Sequence, residues 1–197
     1  MNTEQKIIGV DLDEVLVEFL PSFLEFFERK NGTRIPINTV RSYNFWESGL
    51  GKTREEAIAL ALVEEFYQSR DFDNLPTTNG AEAAITELSK SGLIYVVTSR
   101  PSHFKSKTTA QLRKHFPAIS SHVIYTGDFN RVGKTKAEVC QELALTEFYE
   151  DNLSYARACA PHVRRVYLFD KPWNQGEVNG NITRVISWQE AMQRRVT

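Results

Sequence analysis

A chain of 197 residues, 41% hydrophobic and 25% charged, holds enough apolar material for one globular domain, or for one domain carrying a smaller insertion. Its 24 Lys and Arg nearly balance 25 Asp and Glu, which argues against a nucleic-acid polymer or an anionic membrane as partner. No apolar run approaches the roughly 20 residues of a membrane span, and the four histidines show no metal-ligand spacing, which argues against zinc.

The chain opens with MNTEQK and runs straight into Ile7-Ile8-Gly9-Val10, leaving no room for a signal peptide. A short uninterrupted apolar run of this kind predicts a strand buried on both faces. It ends in Asp11 and Asp13, two carboxylates one residue apart. Strand ends at the carboxyl edge of an open α/β sheet are where ligand sites collect. Paired carboxylates there repel unless a cation or a shared proton intervenes, and an oxygen-only set suits Mg²⁺. Two solvated aspartates in a turn are the plainer alternative.

After Leu16 the pattern becomes helical. Phe19, Leu20, Phe23, Leu24, Phe26 and Phe27 share one face, and Asn31-Gly32 offers a left-handed stop. The stretch RIPINTVRSYNFWESGLGK is too polar and Gly-rich for a long regular element. Thr53 with Glu56 reads as a capping box opening a second helix to about Gln68. Residues 73–76, Asp-Asn-Leu-Pro, read as a linker. With no convincing strand and many aromatic residues, segment 17–76 is expected to be a helical cap with its own small core, leaving 1–16 and 77–197 as the main domain.

Beyond residue 78 helices and strands alternate. Residues 79–91 are expected to be a helix capped by Asn79 and stopped by Gly92. Residues 93–97 form a strand ending in Thr98-Ser99-Arg100-Pro101, and 102–115 a helix. Residues 122–126 are a strand, 127–131 a loop, and Thr135 with Glu138 a capping box opening a helix to about residue 145. A short strand at 147–149 ends in Glu150-Asp151. A helix at 154–160, strands at 166–169 and 184–186, and a C-terminal helix complete the chain. This alternation implies an α/β fold with a parallel, doubly wound, Rossmann-like sheet. Cys140 and Cys159 both fall in predicted helices and read as buried free thiols, which suits a reducing, cytoplasmic setting.

Four polar ends could therefore meet over one sheet edge: Asp11/Asp13, Thr98/Ser99, Lys134 or Lys136, and Glu150/Asp151. Each has an ordinary structural explanation alone, such as a helix cap for Thr-Ser. Together they supply an acidic cation site, a hydroxyl with backbone amides, and one cation, a combination suited to phosphoryl transfer. Asp11 would attack phosphorus and Asp13 would serve as acid and then base. Mg²⁺ would be held by Asp11, Asp151 and the carbonyl of Asp13. Thr98 and the amide of Ser99 would bind phosphate oxygens.

DLDEV resembles the Asp-x-Asp-x-(Thr/Val) signature of the haloacid dehalogenase superfamily of phosphohydrolases. Thr98-Ser99 resembles its second motif, Lys136 its third and Glu150-Asp151 its fourth, and a helical insertion after the first motif resembles a type 1 cap. Within the superfamily the chain is most similar to the 5′(3′)-deoxyribonucleotidases, a likeness that includes Phe169-Asp170-Lys171-Pro172-Trp173-Asn174. The resemblance implies a Mg²⁺-dependent phosphatase for nucleoside monophosphates. Lys136 is then the preferred site lysine, Glu150 an acidic neighbour, and Arg100 a further phosphate or substrate contact. Glu14 stands where related enzymes carry a small residue. Tyr43, Phe45 and Trp46 could stack on a base or simply fill the cap. A phosphatase for another small phosphomonoester, such as a sugar phosphate, and a non-catalytic phospho-ligand binder are the rival readings. Homodimer formation is left open.

Overall fold

Ile7, Ile8, Gly9 and Val10 lie in β1 (Lys6–Val10), with Ile8 and Val10 fully buried, as an apolar run flanked by strands on both sides requires. In this computed structural model, which describes residues 6–42, 62–128 and 133–196, β1 is central to a six-stranded parallel sheet. The others are β2 (Gly92–Thr98), β3 (Val123–Tyr125), β4 (Glu147–Glu150), β5 (Arg165–Phe169) and β6 (Ile182–Val185), in the order β3-β2-β1-β4-β5-β6. Val10 pairs with Val96 on one side and Tyr149 on the other. The order therefore reverses beside β1, between it and β4, which is where an open α/β sheet leaves a crevice at its carboxyl edge. Gly9 permits this crowding: a Cβ there would come within 2.5 Å of Leu145 Cδ1 and 2.7 Å of Phe148 Cδ2.

Eight α-helices are found among the described residues: α1 (Phe19–Asn31), α2 (Leu62–Gln68), α3 (Arg70–Asp73), α4 (Ala81–Ser89), α5 (Lys105–His115), α6 (Lys136–Glu142), α7 (Leu153–Cys159) and α8 (Trp188–Val196). Gly32, at φ 68°, ends α1 in the left-handed conformation that a glycine adopts without a Cβ clash. The capping box at the start of α6 is complete, with Thr135 and Glu138 each accepting from the other's backbone N–H. Two local expectations fail. Asn79 does not cap α4, because Gly80 at φ 81° intervenes as the N-cap. The 73–76 linker loses its first residue to a short helix, α3, which starts where the Ser69 hydroxyl accepts from the Phe72 amide.

Two apolar layers sandwich the sheet. Val97, Val139, Phe148, Val166 and Leu168 form one, under α6 and α7. The other joins Ile8, Val10, Ile94 and Tyr149 to Trp188 of α8, and continues without a break into Phe23 of α1, Phe66 of α2 and Phe72 of α3. Described aromatic residues of segment 17–76 thus pack onto the main domain through ring contacts such as Tyr67–Phe104 at 4.4 Å and Phe72–Phe104 at 6.5 Å. No helix among the described residues is long and apolar enough to cross a membrane. Cys140 and Cys159 are free and buried.

Candidate active site

The Asp11 amide donates to the Tyr149 carbonyl at 2.9 Å, extending the β1–β4 ladder by one residue. That bond sets Asp11 level with the end of β4, where Glu150 and Asp151 follow. The Thr135 capping box fixes the first turn of α6, and the Lys136 amide donates to Asp128 Oδ2 at 2.8 Å. From there Lys136 Nζ reaches Asp11 Oδ1 and Glu150 Oε2, each at 2.8 Å, and lies 5.0 Å from the centre of the Tyr155 ring. All three charged side chains are buried: 8% of the Asp11 side chain is exposed, 2% of Lys136 and none of Glu150. Glu150 Oε1 also accepts from the amides of Asp151 and Asn152, so this carboxylate is an internal anchor for the loop after β4.

Burial raises the Asp11 carboxyl to about 7, against the opposing pull of Lys136 and with a further push from Glu150. Burial likewise raises Glu150 to about 7, again offset by Lys136. Burial disfavours the charge on Lys136, but Asp11 and Glu150 outweigh it and hold the ammonium well above its ordinary value. Carboxylate oxygens of Asp11, Glu150 and Asp151 lie within 4.8 Å of one another. Such a hard, oxygen-only donor set fits a small divalent cation. Asp151 is oriented by Trp173, whose Nε1–H donates to its Oδ2 at 2.9 Å, while Asn174 Nδ2 donates to the Asp151 and Phe169 carbonyls. The sequence shows the Pro-Trp-Asn stretch as a motif but not its contact with Asp151.

The Asp13 carboxylate is held by a different partner from those of Asp11, Glu150 and Asp151. It receives a two-pronged contact from Arg100, with Nε to Oδ2 at 2.8 Å and Nη2 to Oδ1 at 2.5 Å. The Arg100 side chain is wholly buried, whereas 26% of the Asp13 side chain is exposed. Arg100 therefore faces Asp13 and the interior, rather than standing free for a phosphate. At the end of β2, Thr98 is buried and its hydroxyl accepts from the Arg100 amide at 3.2 Å. Ser99 Oγ lies 3.3 Å from Thr126 Oγ1. Lys134 is exposed and pairs with Glu142, so of the two candidate lysines Lys136 is the one placed beside Asp11.

Glu14 adopts φ 64°, unusual for a residue with a Cβ. Its buried carboxylate accepts from the Leu20 amide at the start of α1 and lies 3.4 Å from Lys171 Nζ. Burial raises it to about 7, with Lys171 pulling the other way. Glu14 thus caps a helix from six residues upstream, a role local helix signals do not encode. Tyr43, Phe45 and Trp46 lie outside the described residues, as does the Thr53–Glu56 capping box.

The family model for 5′ nucleotidase, deoxy (pyrimidine), cytosolic type C protein matches residues 5–196. A search of curated proteins found no match. Among solved structures, a conserved haloacid dehalogenase-like protein of Agrobacterium tumefaciens aligns with a TM-score of 0.69 at 14% identity, covering 98% of each chain. The hydrolase YfnB of Bacillus subtilis, solved bound to magnesium, aligns at 0.63 and 16% identity, over 97% of this chain and 98% of that one. A predicted phosphoglycolate phosphatase of Haemophilus somnus aligns at 0.64 and 16% identity, over 99% and 100%. These likenesses establish a shared fold. With the family match spanning nearly every residue, the chain belongs to the deoxy (pyrimidine) cytosolic type C 5′ nucleotidase family and is a phosphoric monoester hydrolase.

Proposed function

We propose that this hydrolase is a Mg²⁺-dependent phosphatase acting on nucleoside monophosphates through an aspartyl-phosphate formed on Asp11. The observation that carries the reading is the buried Asp11 carboxylate set 2.8 Å from Lys136 and among the oxygens of Glu150 and Asp151. An Asp11 oxygen attacks phosphorus as the ester P–O bond breaks, and Asp13 gives a proton to the departing oxygen. Asp13 then takes a proton from the water that hydrolyses the acyl phosphate. Thr98 and Ser99 bind phosphate oxygens at the end of β2, and Lys136 offsets the charge gathered around Asp11. Asp11, Asp151 and the main-chain carbonyl of Asp13 would hold the ion, with Glu150 retained as an anchor because its oxygens already accept from Lys136 and two amides. When bound, Mg²⁺ supplies charge neutralisation and orientation for an anionic ester.

Segment 17–76 serves as a cap over this edge, and Tyr43, Phe45 and Trp46 are its base-stacking candidates. A cytoplasmic location accords with the free buried thiols of Cys140 and Cys159. Phosphate release should be measured with Mg²⁺ across ribo- and deoxyribonucleoside monophosphates, sugar phosphates and phosphoglycolate. The proposal expects nucleoside monophosphates to be preferred and Asp11→Asn to abolish turnover. An Asp11→Asn protein that keeps turning over any of these esters refutes the covalent mechanism. A preference for sugar phosphates or phosphoglycolate refutes the substrate class.

A further inference from the structure

Asp13 sits in a turn beyond the end of β1, so the sheet does not by itself fix where its carboxylate points. Proton transfer to a leaving group requires placement within hydrogen-bond reach of that oxygen. Arg100 meets Asp13 through Nε and Nη2, the rigid fork that matches a carboxylate. Its Nη1 donates to Gln111 Oε1 at 2.7 Å and to Thr108 Oγ1 at 3.3 Å, both on α5. The guanidinium carbon lies 4.7 Å from the centre of the Phe72 ring, and Gln111 Nε2 donates to the Phe72 carbonyl. Phe72 belongs to α3, where segment 17–76 returns to the main domain. All three guanidinium nitrogens thus donate to protein acceptors, and one flat face is covered by a ring.

We infer that Arg100 is a positioning residue for Asp13, and that Gln111 and Phe72 tie this placement to the return of the inserted segment. The inference rests on the proposed acid–base role of Asp13. Without the fork, the Asp13 carboxylate would sample other rotamers in its turn, and the proton would reach the departing oxygen less often. A residue needed only for folding would slow all esters alike. A residue that positions a general acid matters most when the leaving group is a strong base. Phenolate is a far stronger base than 4-nitrophenolate, while phenyl phosphate and 4-nitrophenyl phosphate are nearly the same shape.

The test compares kcat/KM for these two esters with Mg²⁺, in the wild-type protein and in Arg100→Gln, Arg100→Lys and Gln111→Met, with thermal melts of each. For Arg100→Gln we expect a loss of about 100-fold on phenyl phosphate and no more than about tenfold on 4-nitrophenyl phosphate, within the range general acid catalysis spans. Arg100→Lys should recover part of the phenyl phosphate loss. Gln111→Met, which keeps the ion pair but removes the Gln111 contacts to Nη1 and to the Phe72 carbonyl, should show the same selectivity at smaller size, and it carries the test if Arg100→Gln does not fold. Equal losses on both esters, or no loss, in a folded variant overturn the positioning role. A wild-type protein inactive on both esters and on every nucleoside monophosphate overturns the proposed mechanism and this inference with it, whereas an active wild type with unselective variants refutes the inference alone.

Discussion

Lys136→Met removes the only ammonium that touches both Asp11 and Glu150 among the described residues, while keeping a side chain of similar length. With an effective dielectric of about 20, each 2.8 Å contact is worth roughly 6 kcal/mol of attraction. The facing carboxylates, no more than 4.8 Å apart, repel by at least about 3 kcal/mol on the same scale. Much of the attraction is offset by the cost of burying the ammonium, so the net loss should be about 3–5 kcal/mol, as for other buried pairs stripped of one partner. The loss should also depend on pH. Asp11 and Glu150 sit near 7 in the folded chain, above 3.8 and 4.5 when unfolded, so their ionisation opposes folding and stability falls as pH rises through 7. Removing Lys136 lifts both further. The deficit of the variant should therefore be small near pH 5, where both carboxyls carry protons, and largest near pH 8. Urea unfolding at several pH values, with and without millimolar Mg²⁺, measures it, and the ion should shrink the deficit at high pH by replacing the lost cation. A deficit that is flat with pH and indifferent to Mg²⁺ would show that Lys136 matters for packing rather than charge.

The Glu14 carboxyl, also raised to about 7 from 4.5, should weaken the fold between those values by on the order of 3 kcal/mol. Glu14→Gln cannot ionise, so its melting temperature should change less between pH 5 and 8 than that of the wild type; an identical slope would discount Glu14. A Cβ at Gly92 would collide with the Lys6 carbonyl across the β1–β2 pair, and backbone cannot swing aside. Gly92→Ala should cost about 1–3 kcal/mol in chemical denaturation, and an unchanged midpoint would mean the strands shift freely. If Trp46 stacks on a base, Trp46→Ala should raise KM for nucleoside monophosphates by roughly tenfold or more while sparing 4-nitrophenyl phosphate, since one stacked base contributes about 1–3 kcal/mol. Equal effects would assign it to packing.

The sheet was legible because strands buried on both faces announce themselves as short apolar runs, and the four polar ends marked its carboxyl edge. The α6 box was legible for a similar reason: Thr135 and Glu138 are three residues apart and act on their own turn. Contacts that join distant segments were not legible. Nothing near Arg100 in sequence announces that its guanidinium will meet Asp13, 87 residues earlier. Gly80 displaced Asn79 as the start of α4 because a left-handed glycine turned the chain before the asparagine could cap it. Glu14 gives no local sign that it will cap α1, because that bond depends on a left-handed turn at a residue that rarely adopts one.

The Trp188 indole, on α8, donates to the Val15 carbonyl at 2.8 Å, 173 positions away, and stacks on Tyr149 at 5.0 Å. The turn that carries both leading aspartates is therefore clasped by a helix that follows it by more than 170 residues. A nascent chain emerging amino terminus first exposes its acidic turn long before that clasp exists. The clasp ties the placement of that turn to the docking of α8, a step that the indole stacked on Tyr149 could report through its fluorescence.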